Sequence, residues 1–199
     1  ALESGGEAAE ILQMASEFSQ SLAANLDLEA TVRSILDNVT RLMPSDVLEL
    51  KLWSGERGAL VPFRFQHTRS RRVVTASLSQ FGSLTEKLVE TRAPIILTDV
   101  RSQAEMNGEL LSIQSYLGIP LIAGGELIGA LEAGQTSGGS FGQHDLNLMQ
   151  LIAGQAAVAL RTAKLFEEER KRGAELAGLA NLNQTLGSVS DFQDVFSRI

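Results

Sequence analysis

Apolar residues recur along this chain with two different periods, and the alternation between those periods lays out its elements. From Glu7 to Leu26, Ile11, Ala15, Phe18 and Leu22 follow helical spacing with Leu12 and Met14 beside them, which predicts an N-terminal helix over 7–26. Asp27 stands where an N-cap is needed for a second helix, whose apolar positions are Leu28, Val32, Ile35, Leu36, Val39 and Leu42. Pro44 closes it. The run Asp46 to Trp53 then reads as a strand, SGERG as a turn, and Ala59 to Gln66 as the partner strand of a hairpin. Pro62 places that partner at a sheet edge or a bulge.

After a basic loop, Ser83 and Glu86 form a capping-box pattern at the head of a short helix that must end before Pro94. Ile95 to Leu97 is a short buried strand, and Asp99 to Gln114 is a polar, irregular segment with a short helix predicted around Glu109 to Ile113. SYLGIPLIA and ELIGALEAGQ flank Gly124–Gly125, a two-residue turn that suits glycine because such hairpins need positive φ angles. Gly129 in the second of these strands marks either a bulge, the commoner case, or a close approach by a neighbour.

The last element is the longest. It begins near Ser140 and Gln143, a second capping-box pair, and carries two apolar stripes. Met149, Ile152, Ala156, Ala159, Ala163 and Phe166 alternate spacings of three and four, the seam of a helix packed along another helix, and are expected to form a dimer interface. Leu148, Leu151, Val158 and Leu165 lie on an adjoining face, so one stripe is expected on the sheet and the other free for a neighbour. Glu167 with Lys171 and Glu168 with Arg172 stand in the favourable order for exposed intrahelical ion pairs.

Shifted by 164 positions, Leu12, Gln20, Leu22, Asp27 and Ile35 recur as Leu176, Gln184, Leu186, Asp191 and Ile199. The echo predicts a tandem repeat whose second copy opens with the same helix, Asp turn and helix. The expected organisation is a disordered tail over 1–6, the N-terminal helix over 7–26, a globular domain over 27–168, a linker helix over 169–188 and the start of a second module over 189–199. With no initial Met, the chain reads as a piece of a larger modular protein.

Composition narrows the function. A net charge of −7 and a pI near 4.9 argue against a nucleic-acid partner, which needs clustered Lys and Arg. No cysteine is present, so disulfides, thiolate metal sites and thioether attachment of a chromophore are excluded, and a cytoplasmic setting is expected. No apolar run reaches the length of a membrane span, and no direct membrane contact is expected.

The order helix, helix, hairpin, helix, short strand, irregular segment, hairpin and long helix predicts an α/β (α+β) domain. TRAPIILTDV (Thr91 to Val100), SYLGIPLIAGGELIGALEAGQ (Ser115 to Gln135) and the helix from Phe141 to Arg172 carry a resemblance to the GAF domain, over about Leu28 to Glu168. That resemblance implies a PAS-like antiparallel sheet flanked by helices, a pocket on one face, and long terminal helices that pass a signal. The family's cyclic-nucleotide signature is reduced here to Phe141 and Asp145, with Leu146 in place of the acid, so cyclic nucleotide is not supported. Members that reduce methionine sulfoxide need cysteine, which is absent. DVRSQ matches the family's acidic stretch only at Asp99 and Arg101.

Phe81, Asp99, Arg101, Ser115 and Tyr116 border the irregular segment and are the candidate pocket lining for a small polar or heterocyclic molecule. A ligand-free, filled core is the alternative. Arg64, His67, Arg69, Arg71 and Arg72 could hold an anion, although scattered exposed Arg are more often only solvated. His67 and His144 stand apart from one another, no nucleophile motif or phosphate loop occurs, and neither metal nor cofactor is expected. The expected function is a non-catalytic sensory or regulatory module, a homodimer through its terminal helices, whose alternative is a constitutive assembly module.

Overall fold

The computed structural model describes residues 26–54, 59–66, 74–75, 81–102, 113–137 and 139–196. The expected tail and N-terminal helix, the turn at 55–58, the loop holding His67 to Arg72 and the segment 103–112 lie outside them. Helix α1 (Leu28–Leu42) leads into β1 (Val47–Ser54), β2 (Ala59–Gln66) and a two-residue β3 (Val74–Thr75). Helix α2 (Gly82–Thr91), β4 (Ile95–Leu97), a 3₁₀ turn (Val100–Ser102), β5 (Ser115–Ala123), β6 (Glu126–Gln135) and α3 (Gln143–Phe196) complete the order. The six strands make one antiparallel sheet in the order β3-β2-β1-β6-β5-β4.

Local chemistry explains the boundaries. Asp27 caps α1, its Oδ1 accepting from the Ala30 N–H at 2.8 Å. Gly124 and Gly125 take φ of 61° and 81° in the β5–β6 turn, the left-handed conformations a two-residue hairpin requires. At Gly129 a Cβ would overlap the Lys51 carbonyl oxygen on β1, and the β5–β6 register shifts just beside it. Close approach and bulge thus coincide there. Pro62 pairs with Lys51 in an unshifted register, and among the described residues β3 pairs β2 at Arg64 and Phe65 and not at Pro62. The Asp46 carboxylate clasps the end of β6, accepting from the Thr136 N–H and hydroxyl at 2.7 Å each, and those bonds hold its pKa below the usual carboxylate value.

Two expected caps form differently. Helix α2 starts at Gly82 with Phe81 at the N-cap position and no side-chain cap bond, so Ser83 lies inside the first turn rather than before it. At α3 it is Asp145, not Ser140, that closes the N-terminus, its Oδ2 accepting from the Gly142 N–H at 2.8 Å.

One face of the sheet carries the main core. Leu48, Leu50 and Leu52 of β1, Leu117, Ile119 and Leu121 of β5, and Leu131 and Ala133 of β6 pack with Val32, Ile35, Leu36 and Val39 of α1 and with the first part of α3. The α3 contribution is Leu148, Met149, Ile152, Ala153, Ala156, Ala157 and Leu160. Of the expected dimer seam, Met149, Ile152, Ala156 and Ala163 are buried within the chain itself, Ala159 packs partly against the same core, and Phe166 is exposed. Small residues at 156 and 159 let the helix approach its sheet, and burying Met149 and Ile152 there stabilises the domain by about 1.5–3 kcal/mol each. The outward apolar side chain of this part is Val158, 60% exposed, with Leu151 half-buried.

Residues 164–199 form a second compact unit. Its residues to 196 are helical, including Asp191, where the internal echo predicted a turn. Leu165, Phe166, Leu176 and Leu179 are exposed. Lys171 pairs with Glu167 at 2.9 Å as expected, whereas Arg172 takes Glu169 at 3.2 Å rather than Glu168. Among the described residues no helix is long and apolar enough to cross a membrane.

Candidate functional site

The opposite face of the sheet, covered by α2, holds the unusual chemistry. Strand alternation turns Glu49 and Lys51 of β1, Tyr116 and Gly118 of β5, and Ala130, Glu132 and Gly134 of β6 to this side, away from the core face. Glu49, Lys51 and Glu132 are fully buried, at 0%, 1% and 0% exposure. Phe81, Leu84, Val100, Ile113 and Tyr116 close over them as a second apolar cluster.

Glu132 is the hub. Its Oε1 accepts from the Tyr116 hydroxyl at 2.7 Å and from the Thr85 hydroxyl at 2.9 Å, while Oε2 accepts from the Lys51 ammonium. Lys51 also donates to Thr85 Oγ1 at 2.6 Å, stands 3.3 Å from Glu49 Oε2, and lies 5.0 Å from the centroid of the Phe81 ring. One carboxylate therefore gathers donors from β1, β5 and α2. Glu49 and Glu132 are direct cross-strand neighbours, an unfavourable pairing of like charges that the ammonium between them offsets. On the other side of Glu49 the β1–β2 register sets Arg64 opposite it.

Small residues make the room. A Cβ at Gly118 would overlap the Tyr116 hydroxyl, and one at Gly134 would overlap an Ile113 methyl and lie 3.1 Å from Phe81 Cε1. The Phe81 and Tyr116 rings meet edge to face, centroids 5.3 Å apart. Burial is the main cause that raises the Tyr116 pKa well above its ordinary value, reinforced by the Glu132 charge, the bond to Glu132 and the Glu49 charge.

Of the five candidate residues, only Phe81 and Tyr116 meet. Ser115 is buried but donates to the Gly139 carbonyl at 3.1 Å, away from this cluster. Asp99 is exposed and accepts from the Arg101 N–H at 3.0 Å, starting the 3₁₀ turn, and Arg101 is exposed beside it. Sequence reading missed Glu49, Lys51, Thr85 and Glu132. The available signal was Glu132, the one charged residue between Leu127 and Gly134 in an otherwise apolar and glycine strand. His144 is exposed at the start of α3, and among the described residues no group of three or more His, Cys, Asp or Glu could hold a metal.

Paired charges and hydroxyls of this kind can recognise and position. The hydroxyls of Thr85 and Tyr116 both donate to a carboxylate already paired with Lys51, while Glu49 Oε2 is buried, accepts no hydrogen bond among the described residues and faces the Lys51 ammonium at 3.3 Å.

Comparison with known proteins places this geometry. The Nif-specific regulatory protein of Herbaspirillum seropedicae is 25% identical over 208 residues, covering 92% of this chain and 37% of its own length. The chain thus spans little more than a third of that relative. The GAF domain of a phosphoenolpyruvate-protein phosphotransferase from Coxiella burnetii superposes with a TM-score of 0.59 at 22% identity, over 82% of this chain and 96% of that one. Free methionine-R-sulfoxide reductase from Neisseria meningitidis gives 0.62 at 14% identity, over 80% and 93%. At these identities the two structures speak for the fold alone. The family model described as the GAF domain matches residues 25–161, more than half of the chain, and with the sheet, the two covered faces and the terminal helix in place the chain belongs to the GAF domain family.

Proposed function

We propose that this chain is a non-catalytic regulatory module that takes its input on the α2 face of the sheet and passes it to α3. The observation that carries this reading is the two-sidedness of β6. Glu132 joins the buried polar cluster on one face, while its neighbours Leu131 and Ala133 pack in the core with α1 and α3 on the other. A change in the cluster that moves β6 is felt by the helix across one sheet thickness, because close-packed interiors transmit small displacements. The regulatory name of the Herbaspirillum relative supports the class of role. The sulfoxide reductase neighbour supports no activity here, since this sequence contains no cysteine for the chemistry expected of such members.

In this reading two copies associate through the outward side of α3 at Val158. A second reading, a constitutive assembly module without a ligand, is favoured by the complete burial of Phe81 and Tyr116 and by the bonds that Glu132, Lys51, Thr85 and Tyr116 make to one another. Thermal unfolding of the chain against a metabolite library separates them. A ligand preferring the folded state at 100 times its Kd adds about 2.7 kcal/mol and raises Tm, and it should also alter self-association. Unchanged Tm across the library together with stable self-association favours the assembly module.

A further inference from the structure

We infer that α2 is a releasable lid, held shut over the sheet by a latch centred on Glu132, and that it opens as a unit while the sheet stays folded. This goes beyond the proposed role, because it concerns the local stability of one element whatever binds beneath it.

Four features set α2 apart from the rest of the domain. It has 10 residues, below the length at which an isolated helix persists in water, so it is stable only while docked. Its N-terminus has no side-chain cap bond. Left-handed residues stand at both ends, Gly82 at φ 40° and Arg92 at φ 50°. Such residues turn the chain sharply, and for Arg92 the conformation is unfavourable, which weakens the hold of the helix on its closed position. Finally, its buried apolar side chains are only Leu84 and Leu88.

Against this modest docking stands the latch. Thr85 accepts from Lys51 at 2.6 Å and donates to Glu132 at 2.9 Å in a partly buried space, where hydrogen bonds to charged groups are worth more than in solvent. The sheet side has no such dependence, because β6 is paired with β1 on one edge and β5 on the other. Opening α2 would uncover Phe81, Tyr116 and the charged groups under them.

Hydrogen–deuterium exchange of the full chain tests this with wild type and T85V, a near-isosteric change that keeps the apolar packing. In wild type the amides of Glu86 to Thr91 should exchange at least about tenfold faster than those of Ile128 to Ala133. In T85V the α2 amides should gain roughly another tenfold while β6 is unchanged. Exchange of α2 and β6 at one common rate in wild type would show that the helix leaves only with the whole domain, and would overturn the lid. Equal acceleration of both elements in T85V, or of neither, would overturn the latch. Should T85V fail to fold, the wild-type comparison alone decides.

Discussion

The phenol of Tyr116 lies across Gly118, two residues further along the same strand, with its Cζ 2.7 Å from where a Cβ at 118 would stand. The missing side chain at 118 is what lets Tyr116 reach Glu132. Gly118→Ala should therefore push the ring off its site, strain the packing and leave Glu132 one donor short. The expected loss is about 2–4 kcal/mol in urea unfolding. A loss below about 1 kcal/mol would mean that Tyr116 leaves its site freely.

Tyr116 is the only tyrosine of the chain, which makes its titration readable without ambiguity. Its folded pKa is raised, so the folded state holds the proton more tightly than the unfolded one, whose value is near 10. The corresponding stability is fully present below pH 10 and is lost as pH rises toward the folded pKa. Absorbance near 295 nm should stay flat through pH 10 and rise only together with loss of far-UV circular dichroism. A smooth titration near 10 in a chain that remains folded would place the hydroxyl in water.

Lys51 and Glu132 should behave as one unit. Lys51→Met leaves two buried carboxylates facing one another, and Glu132→Leu leaves the ammonium with Glu49 as its carboxylate partner beside Thr85, so each single change should cost about 3–5 kcal/mol. The double variant should lose at least about 2 kcal/mol less than the sum of the two. Additive losses in chemical denaturation would show that the pair is not coupled.

At the end of α2, Arg92 occupies the left-handed position that usually falls to glycine, its N–H donating to the Leu88 carbonyl at 3.0 Å. Arg92→Gly should raise stability by about 0.5–1 kcal/mol, since the relief of backbone strain outweighs the extra freedom of the unfolded chain. A net loss would assign weight to the long contact from Arg92 to the Gly125 carbonyl at 3.5 Å.

Much of this fold was legible because its signals are local. The Asp27 cap, the Gly124–Gly125 turn and the short strand Ile95–Leu97 each follow from chemistry within a few residues. The site was not local. In VLELKLW, Glu49 and Lys51 alternate with Leu in the pattern of a water-facing side, and no periodicity tells water from a covering helix such as α2. The same limit applied to the two stripes of α3: spacing shows that both exist, while only packing shows that the alanine-rich one meets the sheet and Val158 faces out. Asp99 and Arg101 are candidates because they border the irregular segment, and there Asp99 accepts from the Arg101 N–H in the 3₁₀ turn.

The proposed output rests on self-association through that outer stripe, and the mass of the chain in solution tests it most directly. Wild type should sediment at about twice 21.4 kDa, and Val158→Glu should reduce this to the single-chain mass with circular dichroism unchanged. Ala156→Glu, by contrast, should unfold the domain, because that position is fully buried against the sheet. A wild-type chain that stays at 21.4 kDa at all concentrations, or an assembly indifferent to Val158→Glu, would contradict the relay through α3.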